Sequence, residues 1–202
     1  MPISRKKPFN NWYHVVGSTY GAWLRGDPRG WRARHHREHV VGDYKNPPPP
    51  GVYARLHAYS QFIMARDAII LSPPQRRAAA AAKMIEAFHF HSVEVIDPCV
   101  SPTHFHALCR FTPPSPGIAI PGFAPNPRAT AIRAPRHLVG IAKKESARTL
   151  SKSGLSRPGG IWAVRCKTKP IRDRIHQVRV ARHIRAHDRR GAVVYSLHLK
   201  SP

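Results

Sequence analysis

Acidic residues are scarce in this sequence: 10 Asp and Glu stand against 34 Lys and Arg in 202 residues. Asp27, Glu38, Asp43, Glu94, Asp97 and Asp173 are scattered along the chain. A two-metal nuclease needs several carboxylates at one point, so that class is a poor fit. Cysteine is nearly absent. Cys99, Cys109 and Cys166 are odd in number and lack Cys-x-x-Cys spacing, which argues against a disulfide scaffold and against a cysteine-rich zinc site. Long apolar runs are missing too. Stretches such as Ala78–Ala82 and Ala68–Leu71 are far too short to span a bilayer. Residues 1–10 are basic with no apolar stretch behind them, so no secretory signal is read there. There is no phosphate-binding glycine loop, no Ser/His/Asp pattern, no Cys₂His₂ spacing and no internal repeat. These absences leave a reduced, cytoplasmic, basic globular chain as the expectation, with no membrane association through a spanning helix.

What the chain has in excess is positive charge and histidine. The formal net charge is +24, and there are 14 His. Such a charge points to a polyanionic partner, with nucleic acid ahead of an anionic membrane surface. Arginine dominates the basic residues, and its planar fork suits phosphate. A hydrophobic share of 42% is enough for a core.

The order of elements is read from pattern. Residues 1–10 form a basic flexible arm. Trp12–Thr19 reads as a strand, β-branched and aromatic, ending at a Gly-Ser-Thr turn. Residues 24–50 are mostly irregular and end in Pro47–Pro50, which cannot be helical. Val52–Ala68 fits a helix, or a helix followed by a strand. Ile69–Leu71 reads as a strand end, with Ser72 as N-cap and Pro73-Pro74 opening an Ala-rich helix over 75–88. Ser92–Asp97 and Thr103–Phe111 read as strands. Residues 112–134 form a Pro- and Gly-rich linker. A helix is predicted over 136–152, a strand over 161–168, and a long last helix over 171–190 with Pro170 at its start and Gly191 as its C-cap. An extended segment from Ala192 ends the chain, and 197–202 form a tail. The fold class is α+β: a single domain over 11–196, with a mainly antiparallel sheet covered by helices.

The histidines carry the chemistry. In His104-Phe105-His106 the period of two puts both imidazoles on one strand face and Phe105 on the other. Two neutral imidazoles so placed can share a divalent metal, although paired surface histidines are common. His89-Phe90-His91 falls at a helix end, where such spacing does not share a face, and reads as surface. On the last helix His176, His183 and His187 form one stripe, and His183 and His187 are i, i+4 neighbours. The same helix carries Arg174, Arg179, Arg182, Arg185, Arg189 and Arg190, so a plain basic surface is the competing reading.

At this point the residues resemble a family. The segment VIDPCVSPTHFHALCRF at 95–111 is similar to the strand–turn–strand of the HUH single-tyrosine transposases, in particular the REP-associated tyrosine transposases. WYHVVGSTYGAWL at 12–24, Gly160-Ile161-Trp162 and ARHIRAHDRRG at 181–191 agree with the opening strand, the Trp-containing segment and the last helix of that family. The His-x-His and its flanks are the sharp part; the remainder is supporting pattern.

The resemblance implies a ferredoxin-like HUH sandwich. It implies His104, His106 and His187 as ligands of Mg or Mn, and single-stranded or hairpin DNA as substrate of a homodimer. In that family a Tyr on the last helix attacks the scissile phosphate and conserves the bond energy for rejoining. Here the matching position is His183. The tyrosines are Tyr13, Tyr20, Tyr44, Tyr53, Tyr59 and Tyr195, none of them on the expected last helix. His183 then stands as a replacement nucleophile, a further metal ligand or a phosphate contact. Three functions stay open: a transposase or endonuclease in DNA transposition, a decayed or repurposed DNA-hairpin binder, and a basic structural RNA-binding protein. For nucleic acid, Arg25, Arg29, Arg32, Arg34, Arg37, Arg179, Arg182 and Arg185 are the expected phosphate contacts. Trp23 and Trp31 are the expected stacking platforms, with ordinary packing as their alternative role.

Overall fold

The computed structural model describes residues 8–28, 51–111, 135–156 and 160–195. Most of the N-terminal arm, the 112–134 linker, the 197–202 tail, Arg29, Trp31, Arg32, Arg34 and Arg37 lie outside the described residues.

Among the described residues, five strands and four α-helices make up the α+β domain: β1 (Trp12–Thr19), α1 (Ala54–Phe62), α2 (Pro74–Phe90), β2 (Val93–Val100), β3 (His104–Phe111), α3 (Pro135–Lys152), β4 (Trp162–Pro170), α4 (Arg174–Arg185) and β5 (Val193–Val194). The sheet order is β4-β1-β3-β2-β5, and its paired strands run antiparallel. Alternation along the strands feeds two cores. Val15, Phe105, Ala107, Cys109, Val93 and Val95 face α2 and α3, where they meet Ala80, Met84, Phe88, Val139 and Leu150. Trp12, Leu108 and Cys99 point to the opposite face, against Val180 and Ile184 of α4. Burying a side chain such as Phe105, Leu108 or Ile184 stabilises by roughly 1.5–3 kcal/mol. Among the described residues no helix is long and apolar enough to cross a membrane.

Two local features set the site. Gly17 pairs with Phe105 across β1 and β3. A Cβ on Gly17 would sit 2.2 Å from the Phe105 ring, so the ring closely approaches a residue that must lack a side chain. Phe105 is thereby fixed on the far face, edge-on to Trp162 at 5.0 Å, and its neighbours His104 and His106 are presented to α4. The second feature is a bulge in β2 between Ile96 and Cys99. Asp97 takes φ 48 there, a left-handed conformation that Asp tolerates better than most residues. The extra residue reverses the alternation. Val95 faces α2, whereas Cys99, four residues on, faces α4. The fully buried Asp97 carboxylate is met by Arg185 of α4 at 2.8 Å, which ties the helix to the sheet.

Several boundaries differ from expectation. The last helix does not begin at Pro170, which closes β4 opposite Tyr13; β4 is an edge strand, where proline is tolerated. The helix starts at Arg174, after Asp173, whose side chain accepts from the His176 N–H at 2.7 Å. It ends at Arg185, and a 3₁₀ turn over Asp188–Arg190 follows. Gly191, at φ 74, caps that turn rather than the α-helix. Ser72 does not cap α2. Pro73 holds the N-cap position without a side-chain bond, and Arg77 takes up the Leu71 and Ser72 carbonyls instead. Residues 69–71 form no ladder strand; Ile69 and Leu71 donate singly to the Tyr20 and Pro102 carbonyls. Only Ala54–Phe62 of the ambiguous 52–68 stretch is helical.

Candidate metal centre

His104 and His106 leave β3 on the α4 face. His187 reaches them from the turn after α4, held by its own N–H to the Ile184 carbonyl at 3.1 Å and by Ala192 N–H donating to its carbonyl at 3.2 Å. Each of the three offers a nitrogen within 4.8 Å of the others'. The expected ligand set therefore converges. The ring centroids stand 5.0 Å apart for His104 and His106, 5.1 Å for His104 and His187, and 4.6 Å for His106 and His187.

His183 joins from α4. Its Nε2 lies 3.4 Å from Nε2 of His187, and its ring centroid is 5.4 Å from that of His106. Unlike His106 and His187, it is exposed. His176 does not join. Its Nδ1 accepts the Arg172 N–H at 3.2 Å, so the expected three-histidine stripe splits into a helix-start contact and two site residues.

His14 is the site residue that sequence reasoning passed over. Its Nε2 is 2.9 Å from Nδ1 of His106, and the two rings stack at 5.1 Å. On β1 it shares the face of Trp12 by the period of two. That face points to α4 because β1 lies beside β3, with Val16 opposite His106. The periodicity was available in the sequence; the strand neighbour was not.

The ring nitrogens sort into roles. His104 Nδ1 lies 3.3 Å from the Thr103 hydroxyl, and His106 Nδ1 is taken by His14. For His106 Nε2 to offer a lone pair, Nδ1 must carry the proton and donate to His14. Partners of this kind fix ring orientation and tautomer in metal sites. Nδ1 of His187 is buried without a hydrogen-bond partner, an exception among buried polar groups.

Electrostatics keep the cluster neutral. Burial, then the charge of His14, lowers the His106 pKa to about 2. Burial first, then the neighbouring imidazoles, lowers His187 to about 4. His14 is lowered to about 4 by burial and by His183, and His104 is lowered in the same direction for the same reasons. Neutral imidazoles present lone pairs at pH 7, as metal ligation requires.

The donor set tests the expected cofactor. The triad and the adjacent His14 and His183 are all nitrogen donors, and Mg²⁺ is a hard ion that takes oxygen ligands. The cluster fits a divalent metal and does not fit Mg²⁺.

The other expected residues fall as follows. Arg179 and Arg182 are exposed on α4, and Arg179 stands one turn before His183. Arg185 is engaged by Asp97. Trp23 is 53% exposed, and Arg25 is exposed beside it in sequence. Three tyrosines are engaged away from the histidines. Tyr195 donates to the Ala78 carbonyl of α2 at 3.3 Å, across the sheet from the cluster. Tyr13 packs against Phe111, and the Tyr20 hydroxyl accepts the Ala65 N–H.

No family model, no curated protein and no solved structure matches this chain.

Proposed function

We propose that this chain is a transposase-like DNA-binding protein that holds single-stranded or hairpin DNA at a multi-histidine metal centre and does not itself form a phosphotyrosine link. One observation carries the reading: His104, His106 and His187 converge on the α4 side of the sheet, and α4 carries the exposed Arg179 and Arg182. A phosphate backbone drawn to that helix lies next to the neutral imidazole cluster, where a bound ion would supply positive charge. The charge of +24 provides the long-range attraction. Exposed Trp23 offers a stacking surface for an unpaired base.

Strand cleavage with rejoining is the activity implied by resemblance to the HUH single-tyrosine transposases. It needs a nucleophile that forms and releases a phosphoryl ester. By the resemblance His183 stands at that position, and Tyr13, Tyr20 and Tyr195 are engaged elsewhere. The reading is therefore binding without turnover.

Fluorescence anisotropy with a labelled hairpin-bearing DNA strand, the matching RNA hairpin and a DNA duplex tests it. The hairpin strand should bind tightest, and its affinity should fall steeply with salt, as release of counterions from phosphates requires. A flat salt dependence, or tighter binding of the RNA, sinks the DNA reading. Incubation with Mn²⁺ followed by a denaturing gel tests turnover, and a covalent DNA adduct of the wild-type chain overturns the binding-only assignment.

A further inference from the structure

The geometry points to His183 as a fourth imidazole ligand, closing a tetrahedral site for a borderline transition ion of the Zn²⁺ class rather than Mg²⁺ or Mn²⁺. This deepens the metal-centre reading and rests on it for the His104, His106 and His187 triad; it does not need the DNA reading.

The argument is metric. A metal bonded at about 2.0–2.1 Å to four tetrahedral imidazoles sets the bonding nitrogens about 3.4 Å apart and the ring centroids about 5 Å apart. The nitrogens of His183 and His187 are 3.4 Å apart. The ring centroids are separated by 5.0 Å for His104 and His106, 5.1 Å for His104 and His187, 4.6 Å for His106 and His187, 5.4 Å for His106 and His183, and 5.0 Å for His183 and His187. Five of the six centroid separations among the four rings are therefore those of a tetrahedral site; the donor nitrogens of His104, His106 and His187 already lie within 4.8 Å of one another, and His183 has to turn inward to complete the set. Without an ion, four imidazoles gain little from meeting so closely, because neutral rings can satisfy only some of each other's nitrogens.

The residue types choose the ion. An all-imidazole set suits Zn²⁺, Cu²⁺ and Ni²⁺, and Mn²⁺ lies at the weak end of the affinity order. Asp97 is held by Arg185, and among the described residues no carboxylate belongs to the cluster, so they do not supply the oxygen donors of a Mg²⁺ site. The inner three ligands come from β3 and the turn after α4, which are pinned by the sheet. His183 comes from the exposed face of α4 and has only to turn inward to reach the ion. The same site then has two states: closed with four imidazoles, or open toward an anionic oxygen when His183 lifts away. A closed four-ligand site is the structural kind, and an open fourth position is the kind that accepts a ligand.

The experiment uses the full chain stripped with chelator and then titrated with Co²⁺, read by visible absorption and by elemental analysis. The expected result is one Co²⁺ per chain with the intense d–d bands of tetrahedral coordination, displaced by equimolar Zn²⁺ and not by a large excess of Mg²⁺. His183→Ala, which leaves three imidazoles and a water on the ion, should shift the position and intensity of those bands and weaken Co²⁺ binding at least about ten-fold, while far-UV circular dichroism stays unchanged. Should that variant fail to fold, His183→Gln, which keeps the side-chain length, is read in the same way. Bands identical to wild type in the folded variant remove His183 from the ligand set. Mg²⁺ displacing Co²⁺ at equal concentration overturns the assignment of the ion class. DNA anisotropy on the same samples separates the two readings: tetrahedral Co²⁺ bands with no DNA binding refute the function and leave the site, and DNA binding with no such bands does the reverse.

Discussion

Acid should unfold the metal-free protein through the histidine cluster, and His106 sets the scale. In the unfolded chain His106 titrates near its ordinary value of 6.5, whereas burial and the charge of His14 lower it to about 2 in the fold. Above pH 6.5 both states are neutral and no cost arises. As pH falls through 6.5 the unfolded chain takes up a proton that the native state refuses, so stability drops. The slope is about 1.4 kcal/mol per pH unit for one such group, or about 2 kcal/mol at pH 5. His14 and His187, lowered to about 4, add losses over the same window until they protonate near that value. The assay is urea unfolding at pH 7.5, 6.0 and 5.0 in chelator, for wild type and for His106→Leu. The variant removes the titrating group and keeps an apolar side chain in the sheet. Its stability should fall less between pH 6.5 and 5 than that of wild type, by about 1.4 kcal/mol for each pH unit. Equal slopes in the two proteins would refute the claim that His106 is held neutral by its surroundings. Added Zn²⁺ should steepen the wild-type dependence, because protons and metal compete for the same lone pairs.

Gly17→Ala should destabilise by about 1–3 kcal/mol, measured by urea unfolding, because its Cβ would strike the Phe105 ring at 2.2 Å; an unchanged midpoint would show that the ring moves freely. Arg185→Leu should cost about 2 kcal/mol by leaving the buried Asp97 carboxylate without its guanidinium, a figure discounted for the half-exposed arginine. Double replacement with Asp97→Asn should recover part of that loss, and no recovery would mean the pair is not the cause. Replacing Arg179 and Arg182 with Gln should weaken binding of a hairpin-bearing DNA strand and make its salt dependence shallower by roughly two phosphate contacts. An unaltered slope would place the DNA elsewhere.

Much of the fold was legible because its strands alternate cleanly. Trp12–Thr19 carries residues for two cores on alternate positions, and the His104-Phe105-His106 alternation is read out unchanged by the sheet. The end of the last helix was less legible. Its arginine-rich, apolar-striped pattern continues past Arg185, but the chain tightens into a 3₁₀ turn before Gly191, and local propensity does not separate those two geometries. The β2 bulge was not legible at all: Asp97, which lies in it, meets its partner Arg185 on another element, 88 residues on.

By itself, the amino-acid sequence determined the chemistry available: a strongly basic surface, a His-x-His on one strand face, and an i, i+4 histidine pair beside arginines. Those follow from residue type and from the 2.0 and 3.6 periodicities, which are local properties of the backbone. Tertiary structure decided which histidines meet. Strand order set β1 beside β3 and brought His14 onto His106, 92 residues away. The turn after α4 placed His187 against β3, and the Arg185–Asp97 pair fixed the helix over the sheet. Tyr195 was sent across the sheet to the Ala78 carbonyl. Which rings share a lone-pair target depends on side chains far apart in the chain being packed to within a few ångströms, and no local rule carries that information.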